Sequence, residues 1–163
     1  TSPITFVSTA NASLHNSGSL YLADVLKNDA NIDPKSIEKI LSEKNNIKVI
    51  LPVHFAGSAC NMIKIKKIAK KNNLVVIEDA AHAFGARYKN GAYVGSCKYS
   101  DMAVFSFHPV KTIATGEGGM ITTNNKTFYR DGNLEPNRSL SFLIKIIPFS
   151  ELGVTNIGNF VSN

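Results

Sequence analysis

The sequence predicts an α/β fold of three layers, a mostly parallel sheet between helices, and three observations predict it. Residues 48–53, 74–77 and 102–107 read as strands built on apolar runs, Val49 to Val53, Leu74 to Ile77 and Met102 to Phe105, the pattern of strands buried on both faces. Between the first two lies a stretch near 59–72 in which Met62, Ile65, Ile68 and Ala69 recur at helical spacing. The order strand, helix, strand, repeated, is that of βαβ units, which place strands side by side and cover the sheet on both faces.

Each element follows from local signals. Residues 4–7 read as a short strand and 8–16 as the helix after it, closed by Ser17-Gly18. Residues 19–25 read as a second strand, with Asp24 near its end. Asp33-Pro34 supplies a cap and a first-turn proline, and Ile37, Ile40 and Leu41 form the buried stripe of the helix that follows. The strand at 48–53 runs into His54-Phe55-Ala56-Gly57. Asn90-Gly91, inside 88–95, signals a turn or hairpin on the surface. Strands at 102–107 and 119–123 follow, and a helix is expected near Asn124.

Composition narrows the class of function. The 163 residues are 44% hydrophobic, enough for a real core in one domain. The chain opens on Thr1-Ser2-Pro3-Ile4 without an initiator Met, at what reads as a mid-domain strand, and we expect an internal piece of a longer protein. No run reaches the ~18 apolar residues of a membrane span, and no secretory signal is visible, so a cytoplasmic location with no membrane partner is expected. The net charge is +6, with its densest basic run at Lys64-Ile65-Lys66-Lys67-Ile68-Ala69-Lys70-Lys71. Its apolar positions keep helical spacing, so these lysines read as a solvated helix face and no nucleic-acid partner is expected. Two cysteines, Cys60 and Cys97, have no metal-ligand spacing; reduced thiols and no metal site are expected.

The chemistry concentrates at two strand ends. The strand at 74–77 runs into Glu78-Asp79-Ala80-Ala81-His82, and the strand at 102–107 into His108-Pro109-Val110-Lys111, followed by small residues and glycines. In open α/β sheets ligands collect outside the carboxyl ends of the strands, so Asp79 and Lys111 are expected to share a crevice. An amine and a carboxylate so placed are what pyridoxal 5'-phosphate requires. The lysine condenses with the cofactor aldehyde, and the acid keeps the ring nitrogen protonated. The hydroxyl of Ser106 suits a phosphate oxygen. His108, close in sequence to Lys111, is a candidate for positioning it.

Ile-Glu-Asp-Ala-Ala-His-Ala-Phe-Gly-Ala at 77–86 and Phe-Ser-Phe-His-Pro-Val-Lys-Thr-Ile-Ala-Thr-Gly-Glu-Gly-Gly at 105–119 resemble the DegT/DnrJ/EryC1/StrS family of sugar-nucleotide aminotransferases. Thr-Phe-Val-Ser-Thr-Ala-Asn-Ala at 5–12 and Asn-Asp-Ala-Asn-Ile-Asp at 28–33 look most like its pseudaminic acid branch. The resemblance covers residues 1–130 and implies the central part of the large domain of a fold type I pyridoxal phosphate-dependent transferase, with 131–163 a diverged or truncated tail. It implies Lys111 as the catalytic and cofactor-holding residue, Asp79 against the ring nitrogen, His82 facing the ring or its phenolic oxygen, Phe6 stacked on the ring, and Ser106 on the phosphate.

The same resemblance implies transfer of an amino group, with glutamate as donor, to the C4 keto group of a UDP-linked 4-keto-6-deoxy sugar, for cell-surface or flagellar glycans. A homodimer is implied for the whole protein. In the related sugar dehydratases a histidine replaces the lysine, so Lys111 speaks against that alternative; a noncatalytic fragment is the other. Glu151-Leu152-Gly153 is similar to the family's Leu-Gly-aromatic-Asn-Tyr-Arg segment, but Val154-Thr155-Asn156 displaces the asparagine and no arginine follows, so Asn156 receives no role.

Overall fold

The strand Val75–Asp79 (β2) lies at the middle of the architecture, with Val49–Ile50 (β1) on one side and Met102–Ser106 (β3) on the other, both parallel to it. The computed structural model describes residues 1–131 and 144–148. Gly119–Thr123 (β4) pairs antiparallel with β3, and Ile144–Pro148 (β5) pairs parallel with β4, giving the order β1-β2-β3-β4-β5. The sheet is thus mostly parallel, as the apolar runs predict. Of the expected tail, all but residue 131 and β5 lies outside the described residues, including the stretch around Asn156.

Strand periodicity separates the two faces. Val76, Glu78, Ala103, Phe105, Met120 and Thr122 point to one side and are buried. Helices Pro34–Glu43 (α2) and Met62–Lys71 (α3) pack on that side, through Ile37, Met62, Ile65, Ile68 and Ala69. The α2 start is the expected cap: the Asp33 side chain accepts from Lys35 N at 2.9 Å, and Pro34 occupies the first turn. Asn61 caps α3 in the same way through Lys64 N. The opposite face carries Asp79 and the partly exposed Val49 and Val104. Over it lies Val7–His15 (α1), which buries none of its residues. Among the described residues, cover on the two sides is therefore unequal.

Several expected strands are shorter or missing. Residues 4–7 form no strand, and 19–25 contribute only a bridge between Val25 and Ile32. The run at 48–53 pairs at Val49–Ile50 and again at Val53 with Asp79; Pro52 between them has no N–H to continue the ladder. The Asn90-Gly91 turn forms, with Tyr88 N–H donating to Ala92 O and Gly91 at φ +83°. Its tip, Asn90 and Gly91, is exposed as expected, while the chain on either side turns inward. Tyr88 and Val94 are buried, and the Phe105 ring takes the place of a Gly95 side chain, since a Cβ there would stand 2.4 Å from Phe105 Cζ. The closing helix is Lys126–Asp131 (α4), as expected after Asn124.

Beneath the covered face, Glu78 is fully buried and accepts from His54 Nε2 and the Tyr88 hydroxyl, each at 2.6 Å, and from the Ser100 hydroxyl. Cys60 N–H donates to His54 Nδ1 at 3.0 Å, so Nε2 carries the ring proton and the imidazole meets Glu78 as a neutral donor. Burial, reinforced by the Glu78 charge, raises the Tyr88 phenol well above its ordinary range. The same causes push the Cys60 thiol from 9.0 up to about 12. Both cysteines are free and buried.

Tyr88→Phe removes one donor from a buried carboxylate and is expected to cost ~1 to 3 kcal/mol in urea denaturation. For Cys60, the unfolded chain releases its proton near the ordinary thiol value while the folded chain keeps it up to about 12. Stability contributed by this group is therefore lost as pH rises from about 9 toward 12. Denaturation midpoints should fall less steeply for Cys60→Ala than for the wild type across that window.

Candidate active site

A cleft of about 390 Å³ opens at the carboxyl end of β2, lined by residues 3–6, by Val53, His54 and Phe55 after β1, by Asp79, Ala81 and His82, and by Lys111. Four chain segments distant in sequence meet there, three of them following the parallel strands β1, β2 and β3. Asp79 is the last residue of β2 and faces away from Glu78, its neighbour, because successive side chains of a strand alternate. Its main chain is clamped: Asp79 N–H donates to Pro52 O at 2.9 Å, and His54 N–H donates to Asp79 O at 3.0 Å.

The carboxylate of Asp79 is held on both oxygens. Oδ1 accepts from Ala81 N–H at 3.1 Å and Oδ2 from the Thr9 hydroxyl at 2.6 Å. Lys111 reaches the cleft from the loop after β3, whose turn is closed by Lys111 N–H donating to His108 O at 2.9 Å. Its Nζ lies 2.9 Å from His82 Nε2. Two basic nitrogens at that distance share one proton in a hydrogen bond, so an ammonium donates to the imidazole or a neutral amine accepts from it. The backbone of His82 packs closely on Gly57, where φ is +82° and an added Cβ would stand 3.0 Å from His82 O.

The cleft brings together Phe6, Asp79, His82 and Lys111 of the residues singled out from sequence. Phe6 sits not at a strand exit but at the N-cap of α1, with 73% of its surface exposed and its ring at the cleft wall. Ser106 ends β3 and is not among the lining residues; its Oγ accepts from His108 N–H at 3.4 Å. The His108 ring points to Glu117, 3.9 Å away, and touches Lys111 only through its carbonyl. Thr9 and His54 were not anticipated. The partner of Thr9 is 70 residues away, and its one sequence signal is a hydroxyl three positions after the cleft aromatic. The described residues hold no group of three or more metal-ligating side chains, and none of their helices is long and apolar enough to cross a membrane.

Comparison with known proteins bears on this arrangement. The model of the DegT/DnrJ/EryC1/StrS aminotransferase family matches residues 1–133. A Campylobacter jejuni protein named UDP-4-amino-4,6-dideoxy-N-acetyl-beta-L-altrosamine transaminase is 46% identical over 127 residues, which are 77% of this chain and 33% of that protein. Among solved structures, Helicobacter pylori PseC, described as an aminotransferase involved in the biosynthesis of pseudoaminic acid, aligns with a TM-score of 0.71 and 30% identity over 97% of this chain and 45% of its own. The PLP-form of a putative sugar aminotransferase from Streptococcus pneumoniae aligns with a TM-score of 0.65 and 27% identity, over 71% of this chain and 32% of its own. The chain spans about a third of the length of the curated relatives it matches.

Gly57→Ala places a Cβ against the His82 carbonyl in a left-handed backbone conformation. It is expected to lose ~1 to 2 kcal/mol of stability. It should also displace the His82 imidazole signals in a nitrogen-edited NMR spectrum, while those of His54 stay in place.

Proposed function

The chain belongs to the DegT/DnrJ/EryC1/StrS aminotransferase family, and we propose that its protein uses pyridoxal 5'-phosphate to move an amino group from an amino acid to the keto carbon of a nucleotide-linked sugar. The observation that carries this reading is the pairing of Lys111 Nζ with His82 Nε2 in the cleft that Asp79 closes. A cofactor with an aldehyde and a ring nitrogen finds there an amine for the one and an acid for the other, so the residues present fit the group. When bound, it supplies the aldehyde that takes up the amine and the ring that accepts carbanion electrons.

The chain's own side chains do the rest. Lys111 must present a neutral amine to be a nucleophile, and His82 Nε2, 2.9 Å away, accepts the proton that Nζ gives up. As a neutral amine, the same Nζ would be the base that takes the proton from the donor's carbon and holds it for return. Asp79, its two oxygens each holding one donor, keeps a lone pair for a protonated ring nitrogen and so holds that proton in place. Phe6 offers its exposed face for stacking. Ser106, whose oxygen accepts from His108 N–H, retains its O–H as a donor for a phosphate oxygen.

The finer assignment is a UDP-linked 4-keto-6-deoxy sugar aminated at C4, with glutamate as donor, in a cytoplasmic homodimer serving cell-surface glycan synthesis. The name of the Campylobacter jejuni relative supports the sugar class.

In the full-length protein, Lys111→Ala is expected to abolish both the visible absorption that pyridoxal phosphate acquires on binding and amino transfer to a UDP-4-keto sugar. Asp79→Asn should keep the cofactor but slow proton abstraction by ~100-fold or more. Retention of both signals in Lys111→Ala would refute the assignment.

A further inference from the structure

Helix α1 is held to the molecule in an unusual way. None of its residues is buried, Val7 and Leu14 are exposed, and its N-cap makes no side-chain hydrogen bond. An isolated helix of nine residues has little stability in water, so something else must keep it in place. Among the described residues, the hydrogen bond linking α1 to the sheet is that from Thr9 Oγ1 to Asp79 Oδ2, at 2.6 Å. Thr5 Oγ1 in turn donates to Thr9 Oγ1 at 3.0 Å, and Thr9 N–H donates to the carbonyl of Phe6 at 3.1 Å. A hydroxyl has one proton to give. That of Thr9 goes to the carboxylate, so the chain of donors runs from Thr5 through Thr9 and ends on Asp79, an acceptor when ionised.

We propose that Thr9 is a positioning residue for Asp79, and that the same hydrogen bond seats α1, with Phe6 at its start, against the cleft. The functional half of this proposal rests on the reading of Asp79 as the partner of a cofactor ring nitrogen. With Thr9 on one oxygen and Ala81 N–H on the other, the plane of the carboxylate is fixed from two directions. Loss of the Thr9 hydroxyl leaves only the Ala81 contact, and the carboxylate turns freely about a terminal torsion with a broad minimum. Phe6 and Thr9 stand three residues apart on the first turn, so whatever orients the acid also sets where the aromatic ring stands. The bond therefore couples two cofactor contacts that belong to different segments of the chain.

Thr9→Val removes the hydroxyl at constant shape, and Thr9→Ser restores it. Amide hydrogen exchange, followed without cofactor, should quicken by about tenfold over residues 10–16 in Thr9→Val and stay near wild type in Thr9→Ser, with β2 and β3 unchanged in both. Should Thr9→Val lose protection in β2 and β3 as well, Thr9→Ala, which lacks the hydroxyl and the β-branch, is read the same way. With pyridoxal phosphate as the probe, Thr9→Val should bind about tenfold more weakly and with a displaced absorption maximum, and Thr9→Ser should recover both. Wild-type exchange over α1 in Thr9→Val, or Thr9→Ser behaving like Thr9→Val, would overturn the proposal. Faster exchange with an unaltered cofactor spectrum would overturn the part concerning Asp79. A wild-type protein that leaves the spectrum of pyridoxal phosphate unchanged would count against the cofactor reading alone, because the exchange measurement contains no cofactor.

Discussion

The carboxylate of Glu78 is the point on which the covered half of the molecule depends. A fully buried carboxylate has lost its water, and in a low-dielectric interior each lone pair left without a donor is costly. Here the donors come from three separate segments: His54 after β1, Tyr88 in the turn after β2, and Ser100 just before β3. The far side of the His54 ring is taken by Cys60 N–H, which draws in the approach to α3. One residue of the central strand thus specifies where four stretches of chain must lie. The arrangement reaches the cleft as well, since His54 N–H also donates to the main-chain oxygen of Asp79. The rigidity of the acid on the open face is inherited from the network on the closed one.

The elements legible from sequence are those with a local cause. Asp33-Pro34 starts α2 through its own side chain and ring, the apolar stripe of α3 needs only helical spacing, and Asn90-Gly91 turns the chain because Gly91 takes a positive φ without strain. β2, β3 and β4 were legible because their apolar runs are bounded by acids, glycines and small residues. Residues 4–7 and 19–25 have comparable strand propensity but no neighbouring strand to pair with. A strand exists only as a pair, and single-segment reasoning does not see the partner.

The site divides along the same line. Lys111 and Asp79 stand out because a lysine among small residues and an acid after an apolar run are both odd on their own. Glu78 does not, although it is the more deeply buried of the two adjacent acids. In a run of continuous apolar residues the alternation of faces leaves no trace, so the sequence does not say which acid points inward. Ser106 was singled out because its hydroxyl suits a phosphate oxygen, and the lining of the cleft depends on how the loop after it turns back, which is set by bonds such as Phe107 N–H to Gly118 O.

The adjacency of Glu78 and Asp79 also constrains how this strand can vary. Two acids of nearly equal chemistry sit on opposite sides of one ribbon, one satisfied by buried donors and one facing the cleft. A slip of β2 by a single place would turn each to the opposite face: in one direction the shorter acid comes under His54 and Tyr88, where it falls short of the donors, and in the other the longer one takes the place of Asp79 at the cleft. An insertion or deletion of one codon between the turn after α3 and the end of β2 thus damages core and cleft in the same event. Length in this segment is under tighter constraint than the identity of its apolar residues.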